Sequence, residues 1–115
     1  MWEARYSASA FDYLKKHPDQ APRILKGIRK VLQNPEPRPL GLGEPLGSRG
    51  SGNLSGFLKI KFSAIGVRVV YCLVRKHGVL NVVVIGIRDD ATCYRDDAKL
   101  VAEFGDRLFD EPFCK

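Results

Sequence analysis

The pattern of apolar and polar residues predicts that the segment from 57 to 94 begins with three consecutive β-strands. In the first strand, from 58 to 62, apolar side chains alternate with Lys59 and Lys61, which is the period of a strand with one buried face. The two lysines therefore share the face that points away from the apolar side chains of this strand.

Two longer apolar runs follow, from 67 to 74 and from 79 to 87. Arg68 is the only charged residue in the first run, and the second run is rich in Val and Ile. Runs that are apolar on both faces belong in the middle of a sheet. The short segments 63–66 and 75–78 separate the three runs, so the sequence predicts an antiparallel three-stranded meander.

The first 33 residues predict a short strand and two helices. Residues 2–6 have the pattern of a strand, and Ser7 or Ser9 can cap a helix that ends near Lys16. A second helix extends to about Gln33, and its apolar residues form one stripe: Ile24, Leu25, Ile28, Val31 and Leu32. The basic residues of this helix lie off the stripe, on a face that is either solvated or in contact with phosphates: Arg23, Lys26, Arg29 and Lys30.

A long connection and a final helix complete the predicted fold. The connection, Asn34–Gly56, contains four Pro and six Gly, and its part from Gly47 to Gly52 is expected to be mobile. A connection of this length is usually functional or disordered. Residues from Tyr94 to about Leu108 have the pattern of a helix. We therefore expect an α+β fold in a single domain, 1–115, with the order strand, helix, helix, three antiparallel strands, helix.

The distribution of charge favours a polyanionic partner. The 115 residues are 44% hydrophobic and 28% charged, as in an ordinary globular domain, and the formal net charge is +6. Residues 57–95 hold seven Lys or Arg and two Asp, whereas the rest holds twelve basic and eleven acidic residues. Residues 96–115 hold six acidic and three basic residues, so this tail either lies against the basic sheet or packs as a plain amphipathic helix.

Several classes of function are not supported by the sequence. No apolar run reaches the roughly 18 residues that span a bilayer, and no signal peptide is recognisable, so we expect a cytoplasmic protein without a membrane partner. Cys72, Cys93 and Cys114 have no paired spacing and are expected to be reduced thiols. His17 and His77 lie apart from other ligand types, so we expect no metal ion and no cofactor.

Five residues of the basic segment are expected to converge on one patch of the sheet. Lys59 and Lys61 share a face, and Arg68 lies across from them if the first two strands pair antiparallel. Arg88 follows the last strand, and Tyr94 comes six residues later, near enough to fold back. The cation at the next hairpin, at position 75, lies outside this set.

Such a patch has the groups that RNA cleavage without a metal ion requires. The 2′-hydroxyl attacks the adjacent phosphate if the protein supplies a base, positive charge for the phosphorane and an acid for the departing 5′-oxygen. Arginine stabilises a phosphorane through its planar donor fork, and lysine is a base only in its neutral form, which neighbouring cations favour. A tyrosine can stack on a base. From spacing alone, a solvated or purely phosphate-binding face remains an alternative.

Four segments, taken in order, resemble the signatures of RelE-type toxins in the RelE/ParE superfamily of bacterial toxin–antitoxin systems. They are Leu54–Lys61, Gly66–Tyr71, Ile85–Asp89 and Tyr94. The resemblance implies the RelE-like fold and a ribosome-dependent endoribonuclease that cuts messenger RNA in the decoding site, in contact with ribosomal RNA. It also implies a cognate antitoxin as the protein partner.

The resemblance assigns a role to each residue of the patch by its position. Lys59 and Lys61 match the strand lysines, and Lys61 matches the proposed general base. Arg68 matches the arginine that stabilises the transition state. Arg88 matches the proposed acid or phosphate-stabilising arginine, and Tyr94 matches the tyrosine that orients or stacks on the substrate.

The sequence also departs from the family pattern. Ile87 and Asp90 stand where many members carry basic residues, the connection before the meander is long, and the tail extends beyond Leu108. These departures concern sequence preference and ribosome contacts more than the reaction. Two alternatives have the same basic sheet: a ParE-like toxin that inhibits DNA gyrase by binding, and a nucleic-acid-binding module without catalysis.

Overall fold

The computed structural model describes residues 2–36, 41–45, 57–87 and 111–113. Within these ranges the chain forms two helices and five strands, which we number in chain order. They are β1 (Glu3–Tyr6), α1 (Ala8–Lys16), α2 (Ala21–Val31), β2 (Glu44–Pro45), β3 (Leu58–Phe62), β4 (Val67–Val74) and β5 (Val79–Ile87).

The strands form one mixed sheet in the order β1-β5-β4-β3-β2. β3, β4 and β5 pair antiparallel, which confirms the predicted meander, and β1 pairs parallel with β5. β2 pairs antiparallel with β3 at the opposite edge. This two-residue strand lies in the connection for which the sequence predicts no strand. Together with the two helices, the sheet confirms the α+β fold.

The first helix is fixed to the sheet by its N-cap residue. The Ser7 hydroxyl accepts a hydrogen bond from the Ala10 amide at 3.0 Å and donates one to the Val83 carbonyl at 2.7 Å. Val83 is the extra residue of a bulge, because the register between β4 and β5 shifts by one after Val70. Of the two predicted caps, Ser7 is therefore the one that is used, and it ties α1 to the bulge.

The core lies between the two helices and one face of the sheet. α2 begins with Pro in its first turn and ends two residues before the predicted Gln33. Its predicted stripe faces the sheet, where Ile24 and Ile28 are fully buried. The sheet contributes alternate residues from its three central strands to this core: Leu58, Val67, Val69, Tyr71, Leu73, Leu80, Val82 and Ile85.

Both turns of the meander end in a left-handed glycine. Gly66 has φ 64° and Gly78 has φ 65°, and each follows one turn of 3₁₀-helix, Ser63–Ile65 or Arg75–His77. A side chain at either position would be strained, since this backbone conformation is unfavourable for residues with a Cβ. The turns therefore fix the register that brings β3, β4 and β5 together.

Some predictions lie outside the described residues. They concern the helix from Tyr94 to Leu108, the mobility of Gly47–Gly52, and the thiols Cys93 and Cys114. No helix within the described ranges is long and apolar enough to cross a membrane.

Candidate functional site

The register of the meander brings three of the five predicted site residues onto one face of the sheet. Lys61 in β3 is directly opposite Arg68 in β4, and Lys59 is opposite Val70 two positions along. Directly opposed residues of an antiparallel pair point to the same side, and so do residues two apart on one strand. The predicted placement of Arg68 across from the two lysines is therefore confirmed.

The exposure of the three cations is uneven, and this corrects the expectation of an exposed basic sheet. The side chains of Lys59 and Lys61 are 15% and 35% exposed, but Arg68 as a residue is only 3% exposed. The sheet contributes to this burial because Arg68 belongs to the central strand β4, between β3 and β5. Its partner on β5 is Gly86, which presents no side chain to the same face.

A carboxylate that the sequence does not single out belongs to this site. Glu44 in β2 pairs with Lys59 in β3, and its Oε1 lies 3.8 Å from Lys59 Nζ and 3.4 Å from Lys61 Nζ. One carboxylate thus contacts both lysines, which independently shows that they share a face. The sequence offers no signal for this contact, since a two-residue strand in a Pro- and Gly-rich connection has no periodicity.

Close packing behind β2 fixes the position of Glu44. A Cβ atom at Gly43 would lie 2.6 Å from the Tyr71 hydroxyl oxygen, 2.9 Å from Leu58 Cδ2 and 2.9 Å from the Pro35 carbonyl oxygen. A glycine is therefore required here by close approach. β2 can approach β3 only because this residue has no side chain.

Hydrogen bonds hold the same connection against the central strand. The Tyr71 hydroxyl donates to the Pro35 carbonyl at 3.1 Å, and burial, with a smaller contribution from the Glu36 charge, raises the pKa of Tyr71 above its usual value. The Gly43 amide donates to the Glu36 carbonyl at 3.0 Å. The Glu36 carboxylate in turn forms an ion pair with Arg75. Glu44 is therefore carried by a segment that is tied to β4 and its turn.

A small cleft lies where the two lysines and the glutamate meet. Its volume is about 200 Å³, and both apolar and charged side chains line it. The lining residues are Val31, Leu42, Glu44, Lys59, Ile60 and Lys61. Leu42 is 43% exposed, which leaves an apolar surface beside the charges.

The remaining two site residues, Arg88 and Tyr94, lie outside the described ranges, so their predicted convergence with the lysines stays a prediction. The described part of the acidic tail is at the other end of the sheet. Asn81 donates from Nδ2 to the Glu111 carbonyl at 2.9 Å and accepts from the Phe113 amide at 2.9 Å. Arg5 donates to the Phe113 carbonyl at 3.4 Å.

The basic residues of α2 line a second, shallow depression of about 510 Å³ on the protein surface. Its lining residues are Arg23, Lys26, Gly27, Arg29, Lys30 and Gln33. The four cations that the sequence places off the apolar stripe therefore surround one concave surface. Among the described residues no group of His, Cys, Asp and Glu is arranged to hold a metal ion.

No protein-family model matches the chain, and no curated protein matches it. Solved structures do. The isolated E. coli RelE toxin is 20% identical with a TM-score of 0.61, over 88% of this chain and 99% of that chain. A double arginine-to-alanine mutant of E. coli RelE in the free state is 19% identical with a TM-score of 0.64, over 85% of this chain and 95% of that chain. A chain of the intact E. coli RelBE toxin–antitoxin complex is 21% identical with a TM-score of 0.59, over 77% of this chain and 99% of that chain.

At these identities the likeness concerns the fold, and it spans almost the whole of each solved chain. The α+β fold predicted from the sequence agrees with it. The chain therefore has the RelE fold.

Proposed function

We propose that this chain is the toxin of a type II toxin–antitoxin system and an endoribonuclease that cuts messenger RNA on the ribosome. The observation that carries the proposal is the placement of Lys61 opposite Arg68, with Lys59 on the same face, within a RelE fold. Two partly exposed lysines, with a buried arginine on the same face, supply positive charge for a phosphate, and the fold agrees with a toxin.

The proposed reaction needs no group beyond the protein and the RNA. Lys61, once it has lost its own proton to water, takes the proton of the 2′-hydroxyl while the 2′-oxygen forms a bond to phosphorus. Lys59 and Arg68 stabilise the negative charge on the phosphorane. The bond from phosphorus to the 5′-oxygen then breaks, and the leaving oxygen takes a proton either from Arg88 or from a water molecule while Arg88 donates a hydrogen bond to it. Tyr94 stacks on or orients the neighbouring base.

The burial of Arg68 adds a requirement to this mechanism. A residue that is 3% exposed cannot reach a phosphate in the described conformation. Arg68 must therefore become accessible when RNA binds, or act on the phosphorane through the field of its charge over a longer distance. In both cases the strand register already pairs Arg68 with Lys61 before substrate arrives.

We propose a cognate antitoxin as the partner. The E. coli RelBE structure is a toxin–antitoxin complex, and a RelE toxin was also solved with a peptide of its antitoxin RelB. A cytosolic nuclease of this kind would be toxic without a neutralising protein. An acidic or amphipathic segment that folds on binding would suit a chain with a formal net charge of +6.

Induced expression tests the proposal against its two alternatives. Incorporation of labelled methionine and the supercoiling of a reporter plasmid are measured in the same culture, with a Lys61→Ala variant as the control. The proposal predicts that translation stops first and that messenger RNA is cut. Loss of supercoiling first would indicate a ParE-like gyrase inhibitor. Arrest without RNA cleavage would indicate a nucleic-acid-binding module. Growth should be restored by co-expression of the antitoxin, and persistent arrest with every adjacent reading frame would contradict that partner.

A further inference from the structure

We infer that Glu44 is a specificity-determining residue that competes with RNA phosphate for Lys59 and Lys61. Its carboxylate lies 3.4 Å from Lys61 Nζ and 3.8 Å from Lys59 Nζ, so it occupies a position where an anion contacts both ammonium groups. The inference deepens the proposed function, because it rests on these two lysines contacting phosphate.

Glu44 is not a surface residue that happens to reach two lysines. Its strand is paired with β3, and the residue before it packs against Tyr71 and Leu58 without room for a side chain. The side chain of Glu44 is one-third exposed, and that of Lys59 is only 15% exposed. Water screens partly buried charges less than exposed ones, so the carboxylate reduces the local positive charge substantially.

The net charge of the two lysines and Glu44 determines how strongly a phosphate binds beside them. Lys59 and Lys61 carry two positive charges and Glu44 one negative charge, so this edge of the site has a net charge of +1 by simple count. A phosphate that binds there must displace the carboxylate from Lys61 or share the lysine with it. Either event weakens the binding of a single phosphate.

Competition by Glu44 affects RNA free in solution more than RNA held in a larger assembly. An isolated RNA strand offers few contacts besides its phosphates, and its affinity falls by the cost of competing with Glu44. An RNA that is held in place by other contacts stays bound even though its phosphate has to compete with Glu44. Glu44 therefore makes the site selective for RNA that is presented by a larger assembly, over RNA free in solution.

Salt-dependent binding of a short single-stranded oligonucleotide tests the inference. All 2′-hydroxyls of the probe are methylated, so that it cannot be cleaved, and the full chain is used. Glu44→Gln keeps the shape of the side chain and removes its charge. We expect the affinity at low salt to rise about two- to fivefold, on the scale of a partly exposed ion pair. We also expect the slope of log K against log salt to steepen by about 0.7, which corresponds to one further phosphate contact.

The controls separate this effect from net charge and from folding. Asp12→Asn makes the same change of charge on α1, where Asp12 is paired with Lys16 at 3.0 Å, and should leave the slope unchanged. Glu44→Asp retains the charge and should bind as the parent protein does. A purely structural role of Glu44 would lower the melting temperature without changing the slope.

The outcomes distinguish failure of the inference from failure of the proposed function. If Lys59→Ala combined with Lys61→Ala weakens binding while Glu44→Gln behaves like Asp12→Asn, the inference about Glu44 is wrong. The proposal that the two lysines contact phosphate is then still supported. If the double lysine variant binds like the parent protein, the lysines do not contact phosphate, and both ideas are overturned.

Discussion

Arg75, in the turn between β4 and β5, contacts both carboxylate oxygens of Glu36 in the connection that leads to β2. From the sequence, Arg75 is a hairpin cation outside the candidate site, whose replacement should change little beyond general attraction to phosphate. The structure instead places it in the set of contacts that positions β2 and Glu44. It is therefore unsuitable as a neutral control for charge.

The contribution of this ion pair to stability is expected to be small. The side chains of Arg75 and Glu36 are 60% and 32% exposed, so solvent screens their attraction. Arg75→Ala and Glu36→Gln, alone and combined in a double-mutant cycle, should give a coupling free energy of about 1 kcal/mol or less in urea unfolding. A coupling well above this value would show that the pair has a larger role than its exposure predicts.

Gly43→Ala should destabilise the protein and displace β2. The new methyl group would overlap the Tyr71 hydroxyl, Leu58 Cδ2 and the Pro35 carbonyl, and the last of these is a backbone group that cannot move without disturbing the connection. Overpacking of this kind costs about 1–3 kcal/mol of the free energy of unfolding. Urea unfolding measures the loss. Gly86→Ala is the matched control, since a Cβ there meets no atom of the described chain within 4 Å. Equal effects of the two substitutions would contradict the steric argument.

Much of the fold follows from the sequence because its determinants are local. The alternation around Lys59 defines β3, and the glycines at 66 and 78 define the two turns and hence the register with β4 and β5. Once that register is fixed, the position of Arg68 opposite Lys61 follows from the geometry of an antiparallel pair. These elements are therefore predicted to within a residue.

The contribution of the long connection could not be predicted in the same way. Glu44 reaches the lysines through a backbone pairing of only two residues, and the pairing depends on a tertiary contact between Gly43 and Tyr71. Such a contact leaves no periodicity in the sequence. The burial of Arg68 was missed for a related reason, because exposure depends on the whole environment of a strand rather than on its own pattern.

Asn81 is expected to be essential for the attachment of the C-terminal segment. Its side chain donates to the Glu111 carbonyl and accepts from the Phe113 amide, as a neighbouring strand would. Asn81→Ala removes both hydrogen bonds and leaves two part-buried backbone groups without them. This should lower the free energy of unfolding by about 1–3 kcal/mol. Limited proteolysis should then cleave near residue 111 faster than in the parent protein. Unchanged proteolysis and stability would show that other contacts hold the segment.

This attachment changes how the acidic tail has to be tested. Deletion of residues 110–115 removes the contacts with Asn81 and Arg5 as well as the charge. We therefore expect it to lower stability, whether or not the tail modulates RNA binding. Glu111→Gln changes the charge and leaves the backbone carbonyl in place. A steeper salt dependence of RNA affinity in this variant would support electrostatic modulation, and an unchanged one would leave the tail as packing.

Cys72 should make stability decrease at alkaline pH. Burial of the thiol raises its pKa from 9.0 to about 12. Below about pH 9 the thiol is protonated in both the folded and the unfolded chain, so its contribution is fully present. As pH rises toward 12 the unfolded chain ionises first, and stability falls by up to about 1.4 kcal/mol per pH unit. The free energy of unfolding of Cys72→Ala should decrease less steeply between pH 9 and 10.5. Parallel curves for the two proteins would contradict this assignment.

The proposed roles of Lys61 and Arg88 lead to different expectations from a simple loss of charge. If Lys61 takes the 2′-hydroxyl proton, and Arg88 acts on charge that develops only in the transition state, replacing either by Ala should slow the cleavage step far more than it weakens binding. Loss of one preorganised donor typically costs about 3–4 kcal/mol, or about a hundredfold or more in rate.

Single-turnover cleavage of ribosome-bound message measures this difference, with circular dichroism to confirm that each variant is folded. Lys16→Ala is the control, because Lys16 is 70% exposed at the end of α1 and its ion pair with Asp12 is a surface contact. It removes one positive charge as the other two variants do, and it should change the rate of cleavage little. Equal and modest losses in all three variants would show that only net charge matters, and would leave a basic binding face in place of a catalytic site.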